Sequence, residues 1–192
     1  MRVIAGKFRG KKLIAPRDGS RDVRPTADRV KEAVFNVLAP YLQDAVVLDL
    51  FAGTGSLGIE ALSRGSRNAC FCDSSNSSIE MIKENIKALG LEEESRIFAG
   101  DYSRGLARIR ERVDIIFIDA PYFLCDYGAV LRRIADSGVA ADGCILVLER
   151  DKKEGSYELP QNMASIKTRK YGNTEVDFIE VRDKDRSRTY EL

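Results

Sequence analysis

From residue 46 to residue 150, short apolar runs alternate with helix-like stretches, and this alternation constrains the fold more than any other feature. The runs AVVLDLF, NACFCD, SRIFAGD, VDIIFID and CILVLER are too short for helices, and most are too continuously apolar to leave one face in water. Between them, SLGIEALSRG, SSIEMIKENIKALG, a short stretch near 103–111 and GAVLRRIADSG carry helical spacing. Strands buried on both faces belong to a parallel sheet covered by helices on both sides, the α/β class. Two more strand-like runs, ASIKTRKYG and TEVDFIEVRD, meet at the turn YGNT and predict one antiparallel strand at that end. Ahead of the alternation, RVIAG and KKLIA predict a hairpin over residues 2–15, contributing little to the sheet core. A polar loop follows, then a helix capped by Thr26 with Val30, Val34, Val37 and Leu38 on one stripe, stopped by Pro40. Residues 1–24 therefore read as an N-terminal hairpin and loop, and residues 25–192 as the main domain.

The 192 residues, 44% of them hydrophobic, suit one domain with a full core. No apolar run approaches the roughly 20 residues of a membrane span. MRVIAGKFRGKK lacks the apolar region of a signal peptide, so the expected location is the cytoplasm. No extended apolar patch is evident, which points to a monomer. The absence of histidine excludes Ser-His-Asp and Cys-His machinery and any His-containing metal site, so no metal is expected. Cys70, Cys72, Cys125 and Cys144 form no C-x-x-C pair and read as buried thiols. The net charge is only +1, but residues 1–24 alone carry +6. A basic arm on a mildly acidic body points to a polyanionic partner docked at one end. Lys7, Arg9, Lys11, Lys12 and Arg24 are the candidate contacts.

Ligands of such sheets bind beyond the carboxyl ends of the strands. LDLFAGTGSLG occupies the first of these ends, and Gly53, Gly55 and Gly58 match G-x-G-x-x-G. Glycine permits a sharp turn and a close backbone approach. Asp73, at the end of the next strand, is placed to accept hydrogen bonds from ribose hydroxyls. Asp49, just before the glycines, would repel a pyrophosphate and attract a cation. Asp101 ends the third strand and Tyr102 can lie against a flat base. Three carboxylates on consecutive strand ends, with Phe51 in the same loop, suit S-adenosylmethionine, whose sulfonium and ammonium are positive.

VDIIFIDAPYF ends the fourth strand across the same cleft. Asp119 and the Ala120 carbonyl can present two acceptors side by side, stiffened by Pro121. An exocyclic base amine has two N–H groups and a lone pair delocalised into its ring. Accepting both hydrogens aims that lone pair at a methyl donor while Tyr122 stacks on the base.

Taken together, RVIAGKFRGKKL, VRPTADRVKEAVFNVL, LDLFAGTGSLGIEALSRG and IDAPY resemble the bacterial methyltransferases that modify guanine N2 in small-subunit (16S) ribosomal RNA. The resemblance runs over essentially the whole chain. It implies a class I S-adenosylmethionine-dependent methyltransferase fold, Rossmann-like, with a seven-stranded mostly parallel sheet and an N-terminal β-hairpin. Its implied partner is the small ribosomal subunit or an assembly intermediate. By position, Gly53, Gly55, Asp73 and Asp101 would bind the cofactor and Asp119–Tyr122 would be the catalytic loop. Arg24 and Thr26 would lie near the cleft entrance. One departure stands out: the family pattern is Asp-Pro-Pro-Tyr or -Phe, and this chain has Ala120 at the second position. Alanine keeps the carbonyl and loses rigidity. Amine methyltransferases acting on DNA adenine or protein glutamine use similar loops, and a non-catalytic assembly factor could keep the fold. A nicotinamide oxidoreductase fits the glycine loop alone.

Overall fold

The computed structural model describes residues 1–16, 25–121 and 125–182, with residues 25–27 described by their backbone alone. Seven strands form one sheet: β1 (Val46–Asp49), β2 (Asn68–Asp73), β3 (Ser95–Ala99), β4 (Val113–Ile118), β5 (Ala140–Asp151), β6 (Met163–Tyr171) and β7 (Thr174–Val181). Their order is β3-β2-β1-β4-β5-β7-β6. The first five run parallel, and β7 is antiparallel to both β5 and β6. The order reverses between β1 and β4, which opens a crevice beyond their carboxyl ends.

Among the described residues, five helices cover the sheet: α1 (Pro25–Leu38), α2 (Ser56–Ser63), α3 (Asn76–Leu89), α4 (Tyr102–Arg108) and α5 (Tyr127–Ser137). The pleat of β1 sends Leu48 to one face and Val47 to the other. Leu48, Cys70, Cys72, Ile116 and Leu146 pack against α4 and α5 through Leu106, Val130, Leu131 and Ile134. On the opposite face, Val47, Ile115 and Phe117 meet Val34, Phe35 and Leu38 of α1. Beside them, Phe71 meets Ile59 of α2 and Ile79 and Ile82 of α3. Local signals set the helix ends. The Ser75 hydroxyl accepts from Ser78 N at the start of α3, and left-handed Gly90 closes it. Asp126 accepts from Ala129 N to start α5, and Gly138 closes that helix. α1 begins at Pro25, a residue suited to the first helical position. Thr26 therefore lies in the first turn of α1, not at its cap as the sequence pattern predicted. After Leu38 the chain tightens into a 3-10 turn over Ala39–Tyr41 with Pro40 at its start.

The arm differs from the sequence expectation in one respect. The expected hairpin is present as a short one, with the antiparallel bridge Arg2 to Lys12 and backbone bonds from Val3 N to Lys11 O (3.0 Å), Gly10 N to Val3 O (2.9 Å) and Leu13 N to Met1 O (3.1 Å); what differs is its packing. Val3 and Leu13 are buried in the core shared by α2 and α3, so the arm is integral to that layer. The cause is a set of polar clamps that a period-two reading does not register. Glu60 of α2 is fully buried, and its carboxylate accepts from Ile4 N (2.8 Å) and Ala5 N (3.0 Å). Lys31 Nζ (3.3 Å) and Arg64 Nε (2.7 Å) balance its charge. Ser63 takes Lys7 N on its carbonyl (2.7 Å) and Phe8 N on its hydroxyl (3.0 Å). Asn85 of α3 accepts from Ile14 N (2.7 Å) and donates to Ile14 O (3.1 Å) and Thr54 O (3.0 Å). One buried amide thus ties the arm to the glycine loop.

Candidate active site

A cleft of about 900 Å³ opens beyond the carboxyl ends of β1, β2, β3 and β4. That volume suits a nucleoside-sized ligand. The glycine loop forms its floor. Gly53 (φ 55°) and Gly55 (φ 77°) both lie in the left-handed region, where any side chain is strained. Gly58 does a different job: a Cβ there would overlap the Phe71 ring, so its absence lets α2 press onto β2.

The Asp73 carboxylate stands at the end of β2 and lines the cleft. One oxygen accepts from Gly53 N (2.8 Å) and the other from Ser75 N (2.8 Å). These bonds fix its orientation between the glycine loop and the start of α3. Each carboxylate oxygen keeps further lone-pair capacity for a ligand's hydroxyls. Asp101 caps α4, accepting from Ser103 N (3.0 Å) and Arg104 N (3.1 Å), and also lines the cleft. Phe51 and Tyr102 make an aromatic wall, with ring centroids 5.6 Å apart and planes tilted by 44°. Asp49 is 1% exposed and is not among the lining residues; its Oδ2 accepts from Gly58 N (3.0 Å) and braces the glycine turn from behind.

β4 delivers the fourth wall. It ends at Ile118, and Asp119 follows, half-buried. Ala120, 2% exposed, and Pro121, exposed, line the same cleft as the glycine loop. Tyr122 and Arg24 lie outside the described residues. Lys7, Arg9, Lys11 and Lys12 are all exposed on the arm and line no part of the cleft. Pro16 does line it, so the arm leads to the cleft mouth.

Several lining residues escape a motif reading: Ser75 and Met81 near the start of α3, and Cys125 and Asp126 at the start of α5. They belong to no short signature and come together only through the tertiary fold. Asn85 and Glu60 did leave a signal, since each is a polar residue on an otherwise apolar helix face. Burial pushes the Cys70 and Cys72 thiols up to about 12 and Cys125 to about 11, and raises Cys144 as well. The four cysteines are therefore protonated at neutral pH and poor nucleophiles.

A carboxylate aimed at the cleft, an aromatic wall and exposed glycine backbone fit a nucleoside-bearing cofactor such as S-adenosylmethionine. The family model described as "Conserved hypothetical protein 95" matches residues 1–180. The "Putative rRNA methyltransferase YlbH" of Bacillus subtilis is 37% identical over 188 residues, covering 95% of this chain and all of that protein. "Ribosomal RNA small subunit methyltransferase D" of Escherichia coli K12 is 33% identical over 162 residues, 84% of this chain and 80% of that one. Among solved structures, "Putative methyltransferase yhhF from Escherichia coli" superposes with a TM-score of 0.85 at 28% identity, covering 96% of this chain and 99% of that one. The family match takes in the arm, the glycine loop and the Asp119 turn alike, and on that extent the chain belongs to the Conserved hypothetical protein 95 family.

Proposed function

We propose that the protein methylates the exocyclic N2 of one guanine in small-subunit ribosomal RNA. The observation that carries this reading is the shared cleft: Asp73 and the Ala120–Pro121 turn after β4 line one cavity. The relatives named as ribosomal RNA methyltransferases supply the substrate class. S-adenosylmethionine is the methyl donor, and when bound it supplies an electrophilic methyl group on a positive sulfur.

The chain's own residues divide the work. Asp73 receives the ribose hydroxyls, already oriented by Gly53 N and Ser75 N. Phe51 and Tyr102 would hold the adenine, with Asp101 lining the pocket beside Tyr102. Asp49 holds the glycine turn in shape through Gly58 N and adds negative charge beneath a cationic ligand. Across the cleft, the Asp119 carboxylate and the Ala120 carbonyl accept the two N–H groups of the guanine amine. This orients the nitrogen lone pair and stabilises the positive charge that grows on it during attack. Asp119 then takes the released proton. Tyr122 stacks on the base. Residues 1–24 grip phosphates, while residues 25–192 hold cofactor and target. The protein works in the cytoplasm, where the small subunit is assembled.

Labelled methyl transfer to small subunits purified from cells lacking the protein, followed by mapping of the modified nucleotide, tests this. One 2-methylguanine that appears only with added protein is expected. Transfer to adenine, to protein or to nothing would overturn it.

A further inference from the structure

A second groove, of about 830 Å³, lies between α1 and the edge strand β6. Its lining includes Lys167 and Arg169 of β6 with Asn36 and Tyr41 from the α1 side, and holds no aspartate or glutamate. Register puts the two cations there. Lys167 pairs with Phe178 and Arg169 with Val176, and both partners are buried on the α1 face. Directly paired residues share a face, so Lys167 and Arg169 stand over the same side of the sheet as α1. Lys170 is instead committed to Glu175 (3.0 Å). Among the described residues, three large hydrophobics are exposed, and two of them, Tyr41 and Ile166, flank this groove.

The groove also shares its face with the arm. Val3 and Leu13 pack on that side, beside α1. Lys31 of α1 donates to Arg2 O (2.8 Å), and Arg2 pairs with Asp28 (3.3 Å). α1 thus connects the arm at one end of the sheet with β6 at the other. An extended peptide adding to β6 is disfavoured: lysines stud this edge, and the register shifts between Ser165 and Lys167.

We propose that this groove is a second RNA-docking surface, taking a phosphodiester strand on Lys167 and Arg169 with an unpaired base against Tyr41. It rests on the ribosomal RNA reading and extends it: the substrate spans the α1 face, held by the arm on one side of α1 and by β6 on the other. Cations without competing carboxylates suit phosphates, and an exposed aromatic beside them suits a base.

The test compares wild-type protein with the double variant Lys167→Gln/Arg169→Gln and with Tyr41→Ala, using purified small subunits. Because all three side chains are exposed, the variants should fold, which a thermal melt confirms. For the double variant, the slope of log affinity against log salt should fall by about 1.4–1.8, from two phosphates at about 0.7–0.9 each. Its KM for small subunits should rise roughly tenfold, with kcat and cofactor affinity unchanged, since it loses two charge contacts to phosphate. Tyr41→Ala should weaken binding about tenfold with little change in the slope. An unaltered slope and KM in the folded double variant, while the wild type transfers methyl groups, overturns the groove proposal alone. Loss of contact with a ribosomal protein at unchanged RNA affinity would put a protein in the groove and overturn it too. No transfer by the wild type would instead overturn the ribosomal RNA reading on which it rests.

Discussion

Asp73 lines the cleft, Asp119 immediately precedes the lining residues Ala120 and Pro121, and their substitutions should separate binding from chemistry. Asp73→Ala removes an acceptor already locked by Gly53 N and Ser75 N. Each lost charged hydrogen bond to a ribose hydroxyl costs about 1.5–3 kcal/mol, so cofactor affinity should drop at least tenfold. Calorimetry that finds unchanged affinity would reduce Asp73 to a brace for the glycine loop. Asp119→Ala should lower transfer by on the order of a hundredfold or more, the cost of losing one preorganised acceptor at a developing charge. Cofactor affinity should hold in the same titration, and near-normal turnover would remove Asp119 from the mechanism. Gly58→Ala acts through shape. Its new methyl would meet the Phe71 ring, so either α2 or that ring must shift. The expected loss of stability is about 1–3 kcal/mol, read as a lower denaturation midpoint.

Between elements, the joint that carries most consequence is the one α2 makes with the arm. Glu60 is 0% exposed and Lys31 only 7%. Burial holds the Lys31 ammonium below its ordinary pKa of 10.5 even with Glu60 beside it. Glu60→Ala would leave that ammonium buried without its carboxylate and release Ile4 N and Ala5 N together. Removing one partner of a buried pair typically costs about 3–5 kcal/mol. Hydrogen exchange should show the Ile4 and Ala5 amides losing protection before the sheet does. If those amides stay protected, hydrophobic anchoring by Val3 and Leu13 is holding the arm alone.

On the scale of the whole molecule, charge is distributed against the net value. The chain totals +1, while its first 24 residues carry +6. Lys7, Arg9, Lys11 and Lys12 are exposed on an arm whose backbone is fixed to α2 and α3. A rigid basic platform grips phosphates with less ordering cost than a free tail. Replacing these four residues with alanine should lower the salt slope of small-subunit binding by about 1–2, because not every side chain on the arm faces the RNA. Cofactor affinity should be unaffected. An unchanged slope would mean that the RNA docks elsewhere.

The sequence by itself determined the layer order of this protein. Continuous apolar strands alternating with helices admit little except a covered parallel sheet, and glycine spacing with Asp73 at the next strand end marks the end of the sheet where the cleft opens. These signals are legible because each rests on neighbours in the chain: the pleat, the helical turn, the tight glycine loop. The packing of the arm escaped for the same reason. Its apolar alternation marks two short antiparallel runs, but the amides of Ile4, Ala5, Phe8 and Ile14 bond to Glu60, Ser63 and Asn85, residues 55 to 71 positions away. The meeting of Asp73 with Pro121 and the placing of Lys167 and Arg169 over α1 likewise follow only from strand order and register. A clamp, a cleft or a groove made by distant segments is decided by how buried polar groups find partners once the chain has collapsed, and no local period encodes that.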